Sequence, residues 1–162
     1  MGHLKLILWS RLLFLRLFVL VAAVLLSVPP RGALADSPLF AAREGVALGG
    51  YDTVAFFDVG EAVAGQARYS VVWKGVIWRF ASQSNQIRFE MNPRAYAPMF
   101  GGYCASAMAR GVLKAGDPQL WVIVDGRLFL LNNEGALTRW RAQAAQLIAE
   151  ADAHWPAALH PE

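Results

Sequence analysis

Tyr69-Ser70-Val71-Val72-Trp73-Lys74-Gly75-Val76-Ile77-Trp78-Arg79-Phe80 decides the fold class. Tyr69, Val71 and Trp73 alternate with Ser70 and Val72, and Val76, Trp78 and Phe80 alternate on the way back. Lys74-Gly75 supplies a turn between the two runs, so 68–81 reads as a β-hairpin. Its aromatic and β-branched residues suit a pleated surface with one buried face.

Downstream, Ser82 has the character of a helix N-cap, and Ile87, Phe89 and Met91 follow within that helix. Asn92-Pro93 ends it and starts another turn, with Pro93 suited to a first helical position. Tyr96, Met99 and Phe100 are expected to pack inward. After Gly101-Gly102, residues 103–110 form a short helix that Gly111 stops. Asp117-Pro118 opens a second hairpin, with strands over 120–124 and 127–131 around Asp125-Gly126, a strong type I′ pair. Asn132 or Asn133 then caps the longest helix, about 134–153. Leu137, Trp140, Ala144, Leu147, Ile148 and Ala151 keep its apolar period.

Upstream, Val46-Ala47-Leu48 reads as a short strand. Gly49-Gly50 follows, and then Asp52 or Thr53 caps one helical turn that buries Val54 and a phenylalanine. Residues 60–65 read as a loop. The expectation is a single α+β domain: short antiparallel hairpins packed by helices, with a long C-terminal helix. No linker, repeat or low-complexity stretch stands out.

The first 35 residues read as a secretory signal. Lys5, Arg11 and Arg16 make a basic start, and Leu17 to Val28 is apolar apart from Ser27. Pro29-Pro30 breaks the run, and Ala33-Leu34-Ala35 fits a cleavage site before Asp36. The run is short for a bilayer span, which needs about 20 apolar residues. The alternative is an uncleaved N-terminal membrane anchor, since Leu4 to Phe18 is also rich in leucine and aromatics. A periplasmic or secreted domain of residues 36–162 is expected, with its core at roughly 46–156 and no membrane contact after cleavage. The signal holds four of the 15 basic residues and none of the 12 acidic ones. The mature chain is therefore near −1, which gives no electrostatic footprint for nucleic acid.

The mature chain has one cysteine, Cys104, and two histidines, His154 and His160. An intramolecular disulfide and a four-ligand Cys/His zinc site are excluded. Exported proteins normally pair their cysteines or lack them, so a lone thiol reads as a buried small hydrophobe, a reactive group or a soft-metal ligand. Gly101-Gly102 before a short helix puts Cys104 in the first helical turn. A base for it would have to be His154, since His160 lies at the terminus. Tyr51, Asp52 and Tyr103 could add polar groups around the thiol. Tyr51 and Tyr103 each follow Gly-Gly, an echo that brings two backbone stretches close together. The duller readings are half-buried tyrosines, Asp52 as a helix cap and Asp117 as a turn residue. Trp73, Trp78, Phe80, Phe89, Tyr96, Trp121, Trp140 and Trp155 form either a pocket for an apolar ligand or simply the core. Met91, Met99 and Met108 lack the spacing of a copper motif and read as core filling.

The chain resembles the YHS-domain proteins. The resemblance runs through Tyr69, Gly75, Trp78-Arg79-Phe80-Ala81-Ser82, Phe89, Asn92-Pro93 and Tyr96. It extends into an exported branch through Gly49-Gly50-Tyr51-Asp52, Gly101-Gly102-Tyr103-Cys104-Ala105, Gly116-Asp117-Pro118, Val124-Asp125-Gly126 and Asp152-Ala153-His154-Trp155-Pro156. It implies a small α+β domain related to the metal-binding TRASH modules. Metal-handling relatives carry cysteines where this chain has Ala81 and Asn85, so those ligand roles are not carried over. The exported branch includes selenoproteins, and the resemblance places their chalcogen at Cys104. It thus implies a binding module for a soft metal ion, copper or zinc, or for a small ligand. The expected contacts are Cys104 as metal ligand, with Gly101, Gly102, Tyr103, Tyr51 and Asp52 around the ligand. A thiol-dependent redox or peroxide-sensing protein and an interaction domain with an inert cysteine are the alternatives. The sequence names no protein partner.

Overall fold

The computed structural model describes residues 37–160, which lie within one compact unit, Leu34–Glu162. The expected signal, its cleavage point and the alternative anchor lie outside the described residues. No described helix is long and apolar enough to cross a membrane.

The elements run β1 (Ala42–Arg43), β2 (Val46–Ala47), α1 (Ala55–Asp58), β3 (Gln66–Trp73), β4 (Val76–Phe80), α2 (Gln83–Met91) and α3 (Pro93–Tyr96). They continue with α4 (Ala105–Met108), β5 (Asp117–Val124), β6 (Arg127–Leu131) and α5 (Glu134–His154). Four strands make one sheet in the order β1-β2-β4-β3, and β5-β6 make another. The fold is α+β. One pairing, β2 with β4, is parallel rather than antiparallel.

The local chemistry explains both hairpins. Lys74 and Gly75 have φ of 49° and 81°, and Asp125 and Gly126 have 51° and 71°. Two successive left-handed residues make the type I′ turn whose twist matches that of the strands. Ser82 Oγ accepts from the Asn85 N–H at 3.2 Å, and Asn133 Oδ1 accepts from the Ala136 N–H at 2.8 Å. Each side chain satisfies one orphan donor at the start of a helix.

The chain is built from two copies of one unit, which the sequence reading did not detect. Leu48, Gly49 and Gly50 have φ of 53°, 59° and 88°, and Phe100, Gly101 and Gly102 repeat this as 52°, 61° and 80°. Tyr51 bridges Ala64, and Tyr103 bridges Ala115. The Asp52 N–H donates to the Val63 carbonyl at 2.8 Å, and the Cys104 N–H to that of Lys114 at 2.7 Å. The Gly65 N–H donates to the Gly50 carbonyl, and the Gly116 N–H to that of Gly102. Each unit then has a four-residue helix, a hairpin and a capped helix. Even the irregularity recurs: register shifts between Gln66 and Ser70 in one hairpin and between Asp117 and Trp121 in the other.

Each unit has its own core, and β6 joins them. Trp78, Phe80, Phe89, Phe56 and Val54 cluster in the first, and Phe100, Met108, Trp140, Ile148 and Ala151 in the second. Along β6, Phe129 and Leu131 enter the second core while Leu128 and Leu130 enter the first. Side chains alternate across a strand, so a strand buried on both faces needs an unbroken apolar run, and Leu128 to Leu131 is one. In β4 only Trp78 and Phe80 are buried, while Ile77 and Arg79 on the other face are partly exposed.

Residues 37–43 cross the second unit as a strap. The Ser37 N–H donates to the Leu159 carbonyl at 2.7 Å, and the Ala41 N–H to that of Gly101 at 2.9 Å. Phe40 enters the first core, 5.1 Å from the Trp78 ring centroid and nearly perpendicular to it. Gly101 makes the crossing possible, since a Cβ there would lie 1.9 Å from the Leu39 carbonyl oxygen.

Candidate functional site

The duplicated Gly-Gly-Tyr segments and the strap enclose a cleft of about 680 Å³. Leu48, Gly49 and Tyr51 line it from the first unit. Gly102, Tyr103, Ala115, Gly116, Asp117, Pro118 and Leu130 line it from the second. Pro38, Phe40 and Arg43 of the strap region close one wall. This volume lies within the range of small-molecule sites, and the lining exposes polar and apolar surface in nearly equal measure.

Its polar groups are differently committed. The Tyr103 hydroxyl donates to the Pro38 carbonyl at 2.8 Å, which pins the strap. Burial raises the Tyr103 pKa above the ordinary tyrosine value, because desolvation penalises the phenolate. Asp117 opens β5 rather than standing in a turn, and its Oδ1 accepts from the Gln119 N–H at 2.9 Å. The half-buried Tyr51 hydroxyl has no protein partner among the described residues, and neither has the exposed Arg43 guanidinium. Both are available to a ligand.

Tyr51, Gly102 and Tyr103 are thus brought together, as the echo between the two segments implied. Cys104 is not with them. It is 1% exposed within the second core, and its thiol donates to Asn132 Oδ1 at 3.3 Å. Cys104 stands at the N-cap of α4 rather than within its first turn. No group of three His, Cys, Asp or Glu that could hold a metal occurs among the described residues. His154 does not serve the thiol: it is exposed, and its Nδ1 lies 2.9 Å from the Glu150 carbonyl oxygen. The methionines are scattered, Met108 fully buried and Met91 80% exposed.

Asp52 is likewise removed from the ligand contacts. It is fully buried, and its carboxylate accepts four hydrogen bonds. Oδ1 takes the Val54 and Ala55 N–H groups at 2.9 and 3.3 Å. Oδ2 takes the Ala81 N–H at 2.8 Å and Asn85 Nδ2 at 2.7 Å. One carboxylate therefore caps α1 and ties it to the end of β4 and the start of α2. Gly101 serves the strap instead of the cleft. The tryptophans and phenylalanines weighed as a pocket build the cores and their margins, and none of them lines the cleft.

Sequence reasoning missed Phe40, Arg43, Ala115 and Pro118 as cleft residues, and Asn132 as the partner of the thiol. The repeated Gly-Gly-Tyr was the signal that could have located the cleft, but nothing local marks residues 37–43 as its wall. No family model, curated protein or solved structure matches this chain. The YHS resemblance therefore rests on the order of its motif blocks.

Proposed function

We propose that this chain is an exported, non-enzymatic binding module of the YHS type that takes a small ligand in the cleft between its two units. The observation that carries the reading is the convergence of Tyr51, Gly102 and Tyr103 on one cleft, with the Tyr51 hydroxyl and Arg43 unpartnered at its wall. The ordered motif blocks and the basic, apolar N-terminus support the family and the export. Cys104 has a supporting part here. Its thiol is enclosed and already hydrogen-bonded, so a soft metal or an oxidant would have to open the second core to reach it.

A fragment mixture added to ¹⁵N-labelled protein tests the site. Amide shifts confined to Gly49, Tyr51, Gly102, Tyr103 and Gly116 are expected. Anaerobic titration with Cu(I) and Zn(II) addresses the thiol. Stoichiometric binding that disappears in Cys104→Ser, with no fragment shifts at the cleft, would replace this reading with the soft-metal one.

A further inference from the structure

The strap shows what one Gly-Gly-Tyr segment holds. The Gly101 carbonyl accepts the Ala41 N–H at 2.9 Å, and the Tyr103 hydroxyl donates to the Pro38 carbonyl at 2.8 Å. Leu39 lies between them, and its carbonyl oxygen would stand 1.9 Å from a Cβ on Gly101. All three contacts fall on the main chain of the strap. The second unit therefore holds a short peptide segment by its backbone, and the bare Cα of Gly101 lets that segment come close.

The first unit repeats this surface, and no described segment covers it. Gly49 has φ 59° and ψ 18°, against 61° and 18° at Gly101. No donor among the described residues reaches the Gly49 carbonyl, and the Tyr51 hydroxyl has no described partner. A Cβ on Gly49 meets nothing within 4 Å. Gly49 is exposed where Gly101 is buried, and Tyr51 is half-buried where Tyr103 is buried. Gly49 and Tyr51 both line the cleft, so the uncovered copy faces space that a molecule from outside can enter. A solvent-facing glycine or tyrosine alone needs no ligand. The same pair on the same backbone, already carrying a peptide in the other unit, points to one.

We propose that Gly49 and Tyr51 bind a short peptide segment of a partner protein by its main chain, a reading that rests on the cleft as the binding site and names the ligand it takes. The Gly49 carbonyl accepts a peptide N–H. The Tyr51 hydroxyl donates to the peptide carbonyl three residues earlier, as Tyr103 does to Pro38 relative to Ala41. Every peptide carries such donors and acceptors, and they need partners when water is displaced. Residues 37–41 are already held by the second unit of their own chain, so the occupant comes from another protein.

The probe is the strap's own sequence as a capped synthetic peptide, acetyl-Ser-Pro-Leu-Phe-Ala-amide, titrated into ¹⁵N-labelled protein beside the fragment mixture. Saturable amide shifts at Gly49 and Tyr51, with Gly101 still, are the expected result. Tyr51→Phe and an N-methylated alanine in the peptide each remove one hydrogen bond, and each should weaken binding up to about tenfold. Gly49→Ala meets nothing in the chain and should fold. Its methyl takes the place that the peptide carbonyl needs, so binding should fall at least about tenfold. Fragment shifts at the cleft without peptide shifts would overturn the proposal and leave the cleft standing, whereas silence with both would overturn the two together. Peptide shifts centred on Gly101, or unchanged in Gly49→Ala and Tyr51→Phe, would also overturn it.

Discussion

Cys104 occupies in the second unit the place that Asp52 occupies in the first. Each follows Gly-Gly-Tyr, precedes a four-residue helix, and donates its backbone N–H to the loop ahead of the hairpin. Their side chains make different connections. Asp52 gathers four donors, whereas Cys104 gives one hydrogen bond to Asn132. Asp52→Ala would orphan several buried N–H groups at once and should lower the unfolding free energy by about 3–4 kcal/mol. Cys104→Ala removes a weak donor and a small volume, and should cost about 1 kcal/mol. Urea titrations of the two variants decide it, and equal losses would deny the difference in role.

The enclosure of Cys104 sets its reactivity. Iodoacetamide should modify the native protein at least about a hundredfold more slowly than the urea-unfolded chain, because reaction waits on opening of the core. Rapid modification of the native thiol below pH 9 would restore the redox alternative.

Gly101 and Gly126 separate strain from collision. Both have positive φ, 61° and 71°. A Cβ at Gly126 meets nothing within 4 Å, whereas one at Gly101 strikes the Leu39 carbonyl. Gly126→Ala should therefore cost about 1 kcal/mol, the backbone penalty alone. Gly101→Ala should cost about 3 kcal/mol or more and should loosen the strap. Thermal melts give the costs, and proteolysis near residue 39 reports the loosening.

Tyr103 makes stability depend on alkaline pH. Its folded pKa is raised, so the native state holds the phenolic proton after the unfolded chain has released it. The contribution is complete below the unfolded value near 10 and is lost as pH rises through the folded value. Tyr103→Phe should flatten that alkaline decline. It should also cost about 1 kcal/mol at neutral pH for the lost bond to Pro38. An unchanged decline from pH 9.5 to 11 would assign the effect to other groups.

The parts legible in the sequence are those fixed by neighbouring residues. Lys74-Gly75 and Asp125-Gly126 need left-handed backbone, and Ser82 and Asn133 answer the orphan donors just ahead of them. The duplication was hidden because it lives in backbone conformation and register. Asp52 answers to Cys104, Arg79 to Leu130 and Ser82 to Asn133, so beyond Gly-Gly-Tyr little identity advertises it. The strap was hidden for another reason. Phe40 finds its place against Trp73 and Trp78, which lie far along the chain, and no periodicity marks so short a segment. Cys104 drew attention as the lone thiol, yet its surroundings are set by β6 and Asn132 as well as by α4, and only the helix is announced by its neighbours in sequence.

The most direct test of the cleft is the affinity of one cleft-binding fragment for three forms of the protein. Ala115 is exposed and lines the cleft, so Ala115→Trp fills the site without entering either core. The fragment should bind Cys104→Ser within about twofold of the wild type and Ala115→Trp at least about tenfold more weakly. Binding that survives Ala115→Trp but is abolished by Cys104→Ser would contradict the account and return the site to the thiol.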